Sequence, residues 1–342
     1  MHFWWPENTP NKSLILRQIS GLLYHFVKIL GRLAIHIFCR KISINDKTWL
    51  TQKGPILIAA NHPNSFLDSI IVDILFDEPV HSLARGDVFK KPTYAKLLRA
   101  LHILPVYRTS EGVENLSTNY KTFNDCIELF KKNGIVTIYS EGLCVNEWHL
   151  RPLKKGTARL AIQAWDENIP LRVLPVSLNY SSFFSFGKNV VIRFGKPICK
   201  EDVPLNGSDG TRNIAFNKIL QEELAKGVFE IPPTDSAKHQ ELLQIKTSLA
   251  AKILLFIPGI LGWLLHQPLY SPLMRFAKRK TKGTGHFDSV IIAMLLLTYP
   301  IYLTLIAVLV GFTTGSFWGG FSIYAVMPAL AWCYVKIKKQ SI

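Results

Sequence analysis

Apolar residues along this chain follow three different rhythms, and each predicts a different kind of element. From Ser289 to Val335 there are 47 consecutive residues without Asp, Glu, Lys, Arg or His, interrupted by Gly311, Gly315, Gly319 and Gly320. A bilayer-crossing helix needs about 20 apolar residues, so the stretch predicts two spans, about residues 289–310 and 317–335, joined at glycines. Between Arg17 and Arg40 the apolar positions Ile19, Leu22, Leu23, Phe26, Leu30, Leu33 and Ile37 fall at helical spacing, with His25, Lys28, Arg32 and His36 on the opposite side. That pattern predicts an amphipathic helix, suited to the headgroup layer of a membrane or to packing on a core. A shorter apolar run, Ala251 to Leu265, holds Pro258 and Gly259 and predicts a surface-lying or core helix.

The middle of the chain reads differently. Short β-rich runs, Pro55–Ala60, His102–Tyr107, Ile135–Tyr139, Arg172–Leu178 and Asn189–Phe194, alternate with helical stretches such as Thr118–Lys132 and Thr157–Glu167. This alternation predicts an α/β fold, a mixed or mostly parallel sheet with helices on its faces. Three regions follow: an amphipathic, membrane-associated region over 1–50, a globular domain over 51–235, and a membrane region with a hairpin over 236–342.

Charge adds the membrane surface to this picture. The 342 residues carry 40 Lys+Arg against 24 Asp+Glu, a formal net charge of +16, yet 48% are hydrophobic. Mean hydropathy is positive, +0.17. A chain lying on an anionic bilayer needs both features. Nucleic acid would also explain the charge, but the basic clusters flank apolar helices and no RRM, OB or helix-turn-helix signature is present, so no nucleic-acid partner is expected. Arg275, Lys278, Arg279, Lys280 and Lys282 precede the uncharged stretch and Lys336, Lys338 and Lys339 follow it, whereas the turn between has no charge. By the positive-inside rule both ends of the hairpin face the cytoplasm, and with them the globular domain. The first ten residues show neither a basic start nor an apolar run ending in small residues, so no signal peptide is expected. Cys39, Cys126, Cys144, Cys199 and Cys333 are too far apart for a metal or redox pair and read as reduced, mostly core thiols.

The chemistry is written at the end of the first strand of the middle region, in Asn61-His62-Pro63-Asn64-Ser65-Phe66-Leu67-Asp68. At 100° per residue, His62 and Asp68 would stand about 240° apart on one helix and could not meet. They meet if His62 lies before a helix that starts after Pro63 and Asp68 occupies its first turn. A carboxylate on one imidazole nitrogen fixes the tautomer and leaves the other as an acceptor, the requirement for a general base. Ser65-x-x-Asp68 also matches a capping box, in which the carboxylate serves only backbone donors.

The string over 61–68 resembles the NHxxxxD box of the glycerolipid acyltransferases, and three further boxes recur in order between Gly54 and Pro197. Leu104-Pro105-Val106-Tyr107-Arg108 is similar to the second, Tyr139-Ser140-Glu141-Gly142-Leu143-Cys144 to the third, and Val173-Leu174-Pro175-Val176 to the fourth. His102 stands where the family usually has Gly, and Leu143-Cys144 where it often has Thr-Arg or Ser. The resemblance implies an acyltransferase fold and direct transfer: His62 deprotonates an acceptor hydroxyl, Asp68 orients the imidazole, and the hydroxyl attacks a thioester. It also implies that Arg108, Glu141 and Gly142 bind the acceptor. An Arg at a strand end can clamp a phosphate, so Arg85 is a further candidate, and Lys154 and Lys155 precede a helix in a loop suited to a second phosphate. A thioester already has a good leaving group, so no enzyme nucleophile is required, and the chain has no GxSxG elbow. No metal or cofactor is expected, the acyl donor being acyl-CoA or acyl carrier protein. The expected acceptor is 1-acylglycerol 3-phosphate, giving phosphatidate, with glycerol 3-phosphate or a phosphate-free lipid such as an N-acyl amino acid lipid as alternatives. Outside the enzymes, a lipid-binding scaffold fits the membrane segments.

Overall fold

The computed structural model describes residues 10–107, 116–204 and 206–340. Helix α1 (Pro10–Phe38) leads into β1 (Cys39–Ile44), and the core alternation follows: β2 (Ile56–Ala60), α2 (Ser65–Leu75), β3 (Val80–Arg85), α3 (Pro92–Ala100), β4 (Ile103–Val106), α4 (Leu116–Lys131), β5 (Ile135–Tyr139), α5 (Lys155–Asp166), β6 (Arg172–Tyr180) and β7 (Lys188–Phe194). Five more helices follow among the described residues, α6 (Asp209–Gly227), α7 (Ser236–Leu243), α8 (Leu249–Lys280), α9 (Phe287–Thr314) and α10 (Phe317–Ile337).

The seven strands form one sheet in the order β1-β7-β6-β2-β5-β3-β4. Strands β6, β2, β5, β3 and β4 are mutually parallel; β7 runs antiparallel to β6, and β1 pairs parallel to β7. Central β2 is apolar without interruption, because both of its faces are covered. Ile56, Ile58 and Ala60 enter a core with Leu67, Ile71 and Ile74 of α2. Leu57 and Ala59 enter the opposite core with α4, α5 and α6, through Phe130, Trp165 and Leu220. Each fully buried Ile or Leu contributes about 1.5–3 kcal/mol to this sandwich.

The sheet redraws the expected regions. Strand β1, expected to belong to the amino-terminal membrane region, pairs with β7 inside the sheet. Its Cys39-Arg40-Lys41-Ile42 reads as the polar tail of the preceding amphipathic helix, which hides an edge strand. The carboxy-terminal helices are likewise no separate unit: Ala277, Phe287, Ile291 and Ile292 are buried in the same core as α2.

Helix α1 forms as expected, but much of its apolar side is exposed and Lys28 turns inward, while His25, Arg32 and His36 stay exposed. Tyr24, Lys28, Gly31 and Ile35 face inward, while Leu22, Leu23, Phe26, Ile29 and Leu33 are exposed. Lys28 donates to the Glu78 carbonyl (3.1 Å) and pairs with Asp73 (3.8 Å). Arg32 donates to the carbonyls of Ile74 (2.7 Å) and Phe76 (3.2 Å). Arg32 therefore satisfies carbonyls at the carboxyl end of α2, where the helix dipole favours a cation, and Lys28 a carbonyl of the loop that follows.

Among the described residues, four helical segments are long and apolar enough to cross a membrane, Gly21–Phe38 and the whole of α8, α9 and α10. The α9–α10 hairpin matches the expected spans and turns at Gly315, whose φ of 63° suits a residue without a side chain. Its outer surface shows Leu297, Ile301, Leu305, Val308 and Phe312 exposed at helical spacing. Helix α8 replaces the short run expected at 251–265 with 32 residues that pass through Pro258, Pro268 and Pro272. Both of its ends rest on the sheet domain. Thr247, just before it, accepts from Arg40 (3.4 Å), and Ala277 near its end lies in the α2-side core. In between it crosses α10 so closely that a Cβ on Gly262 would stand 2.1 Å from the Leu330 carbonyl oxygen.

Candidate active site

The parallel strands β2 and β5 end side by side, with Ala60 opposite Tyr139 in register, and the loops that leave them build the site. Asn61 continues β2 for one more rung: its side chain donates to the Leu178 carbonyl (3.1 Å) and accepts from the Leu178 N–H (2.8 Å) of β6. The chain then breaks at His62-Pro63 and enters α2 behind its N-cap Asn64.

His62 and Asp68 meet as their spacing predicts. His62 Nδ1 lies 2.8 Å from Asp68 Oδ2, and the same oxygen accepts the Asn64 N–H at 2.8 Å. One carboxylate oxygen thus performs both tasks that the sequence left as alternatives, orienting the imidazole and serving the backbone. Its other oxygen accepts the Tyr180 hydroxyl at 2.7 Å. Asp68 is fully buried, whereas His62 keeps 19% of its side-chain surface exposed. Tyr139 stacks on the imidazole at 3.9 Å and 17°, and its hydroxyl shares a hydrogen bond with Ser69 (2.9 Å). Burial and the Asp68 charge hold both tyrosines well above the ordinary phenol range. Tyr180 therefore stays a donor to Asp68. With Nδ1–H directed at a carboxylate, Nε2 of the neutral ring is the acceptor.

Glu141 sits in the site but does not present its charge to an opening. Its Oε2 accepts the His62 N–H and its Oε1 the Arg151 N–H, both at 3.1 Å, and the residue is 4% exposed. Burial raises its pKa, against the pull of those two N–H groups. The geometry makes Glu141 a brace for the His62 backbone, where a direct acceptor contact was expected. Gly142 takes the left-handed conformation, φ 65°, and a Cβ there would meet the Lys154 side chain at 3.0 Å. Lys154 is the N-cap of α5, followed by Lys155; both are exposed, and the Lys154 N–H is held by the Ser140 carbonyl at 2.7 Å.

Arg85 ends β3 opposite Val106 of β4. It is half exposed and pairs with Asp87 through Nε (3.1 Å) and Nη2 (2.5 Å). Arg108 lies outside the described residues.

Several members of the site carry no signal in the sequence. Cys144, where the resembling family often has Thr-Arg or Ser, accepts the Ser65 N–H at 3.0 Å. The next N–H of α2, on Phe66, goes to the Ser289 hydroxyl at 3.1 Å. His286 Nδ1 shares a hydrogen bond of 2.8 Å with the Ser65 hydroxyl. Burial, with Arg85 and His62 nearby, holds His286 below the ordinary histidine pKa. Of the five thiols, only Cys39 and Cys126 are fully buried.

Residues 41–179 match the family model described as Acyltransferase. Over 145 residues the chain is 26% identical to Glycerol-3-phosphate O-acyltransferase 1 of Saccharomyces cerevisiae (strain ATCC 204508 / S288c), a match covering 41% of this chain and 18% of that protein. The chain thus spans less than a fifth of the length of that curated relative. Among solved structures, the 1-acyl-sn-glycerophosphate (LPA) acyltransferase PlsC from Thermotoga maritima aligns over 62% of this chain and 81% of its own, with a TM-score of 0.45 and 15% identity.

Proposed function

We propose that the chain is a membrane-bound O-acyltransferase that moves a fatty acyl group from a thioester to a hydroxyl of 1-acylglycerol 3-phosphate, a reading supported by the match of residues 41–179 to the Acyltransferase family model and by the similarity to the yeast glycerol-3-phosphate acyltransferase. The product is phosphatidate. The observation that carries the reading is the His62–Asp68 pair, a partly exposed imidazole held at 2.8 Å by a fully buried carboxylate.

In this mechanism His62 Nε2 removes the acceptor hydroxyl proton as the oxygen attacks the thioester carbonyl. The carbon–sulfur bond breaks, and the imidazolium returns the proton to the departing thiolate. Proton transfer by a positioned base such as His62 contributes about 10²–10⁴ in rate, and Asp68 supports it by stabilising the imidazolium and keeping Nδ1 protonated. Tyr180 and the Asn64 N–H hold the carboxylate in place. Arg85, Lys154 and Lys155, with Arg108, provide positive charge for the acceptor phosphate, and the donor is acyl-CoA or acyl carrier protein, with no metal or other cofactor required.

A single-chain lipid is favoured as acceptor because the site loop is bonded to the first turn of the apolar hairpin, at Ser289 and His286. An acceptor dissolved in the bilayer reaches such a site without leaving the interface. Glycerol 3-phosphate is the second reading, supported by the similarity to the yeast glycerol-3-phosphate acyltransferase. The basic residues around the hairpin support a cytoplasmic catalytic domain by the positive-inside rule.

Thiol release from acyl-CoA by membranes carrying the full chain tests the proposal, with 1-acylglycerol 3-phosphate, glycerol 3-phosphate, a phosphate-free lysolipid or no acceptor. Fastest release with 1-acylglycerol 3-phosphate is expected. Release with glycerol 3-phosphate alone would select the second reading, and release that ignores both phosphates would overturn the assignment.

A further inference from the structure

Three consecutive residues between His62 and Asp68 are each bonded to the start of a helix more than 200 positions away. Asn64 donates its side-chain amide to Asp288 Oδ2 at 2.7 Å, Ser65 meets His286, and the Phe66 N–H reaches Ser289. Asn146 adds a fourth tie by donating to the Pro63 carbonyl at 2.6 Å and the Gly285 carbonyl at 3.5 Å. All of the hairpin partners lie beyond residues 41–179, the span matched by the acyltransferase family.

Asp288 is the centre of this contact. It is fully buried in the first turn of α9, where a carboxylate is favoured by the helix dipole, and it forms an ion pair with Lys188, the equally buried first residue of β7. The turn that carries it is itself fixed, because Phe287, Ile291 and Ile292 are buried in the α2-side core. Asn64 connects it to the chemistry: its side chain is held by Asp288 while its backbone N–H holds Asp68. A buried charge pair adds little net stability over a well-packed apolar pair, so stability alone does not account for it.

We propose that Asp288 is a positioning residue for the His62–Asp68 pair, so that docking of the membrane hairpin sets the geometry of the catalytic loop. This rests on the reading of His62 as general base. The hairpin then serves as more than an anchor: the loop reaches its working geometry only where the first turn of α9 is seated.

The test compares two double variants of the full chain in membranes, both lacking the buried charges. Lys188→Met with Asp288→Asn keeps an acceptor for the Asn64 amide; Lys188→Met with Asp288→Leu removes it. The first is expected to retain kcat within about threefold of wild type, and the second to lose about tenfold or more with KM for donor and acceptor within about twofold, since a buried amide is left unpaired. Equal kcat in the two would overturn the inference, as would a loss confined to KM. Should the leucine variant fail to fold, Ser289→Ala reads the same contact at Phe66: a kcat loss of about three- to tenfold is expected, restored by Ser289→Thr. Wild-type kcat in Ser289→Ala would overturn the inference. His62→Ala, assayed beside them, separates the two levels. If it turns over like wild type, the general-base reading falls and takes this inference with it; if it is inactive while the double variants match each other, only the inference falls.

Discussion

Histidines stand at both ends of the sheet's parallel strands, and their surroundings differ in kind. At the carboxyl end, His62 has a carboxylate on Nδ1, an aromatic ring against one face and part of its surface open. At the amino end, His81 and His102 stack on each other at 4.5 Å, with Tyr24 on His102 at 4.2 Å, and neither Nδ1 has a hydrogen-bond partner among the described residues. Burial lowers the pKa of both, that of His102 to about 4, with His81, Lys28 and His25 adding to the effect. His102 also adopts φ 57°, a left-handed conformation that explains why glycine is usual there in the resembling family. In the proposed mechanism a buried carboxylate and a residual opening fit His62 to act as a base, whereas stacking and burial alone make His81 and His102 packing groups.

This contrast can be broken in graded steps. Beyond loss of His62 itself, the largest effect is expected from Asp68→Asn, which should lower kcat by about 100-fold or more with acceptor KM nearly unchanged, read from initial rates over an acceptor titration. Tyr180→Phe leaves one carboxylate oxygen without its donor and should cost about tenfold in kcat by the same assay. Arg85→Ala should raise the acceptor KM by about tenfold with kcat within twofold, as for a phosphate contact made equally in ground and transition states. His102→Asn keeps a residue that tolerates the left-handed backbone and should leave turnover unchanged. It is expected to alter only the pH dependence of melting. Because the folded state resists protonation of His102, its contribution to stability is full above the ordinary value of 6.5 and lost as pH falls through about 4. In His102→Asn that acid decline should flatten by a few degrees in Tm.

Much of this architecture is legible in the sequence where a pattern has one physical cause. The run of β2 is continuously apolar because both faces are buried, β5 departs from that only at buried Thr137, and the 47 uncharged residues form long apolar helices. The six-residue gap between His62 and Asp68 forces a break before the helix, and that is where the chain breaks. Legibility fails where a polar residue is buried for a partner distant in sequence. β3 was hidden by His81 and buried Ser82, and β1 by Arg40 and Lys41. Lys28 faces inward because it finds Asp73 and the Glu78 carbonyl in the loop after α2. Glu141 resembles an acceptor contact in its motif, yet its oxygens are taken by two backbone N–H groups. Asp288 offers no local pattern, since its meaning depends on Asn64 and Lys188, 224 and 100 positions away.

The most direct measurement is the rate of acyl-CoA cleavage with 1-acylglycerol 3-phosphate and with glycerol 3-phosphate, for His62→Ala and His102→Asn in parallel with wild type. His62→Ala is expected to abolish acceptor-dependent turnover while His102→Asn retains the wild-type rate. Equal turnover by wild type and His62→Ala would contradict the general-base assignment.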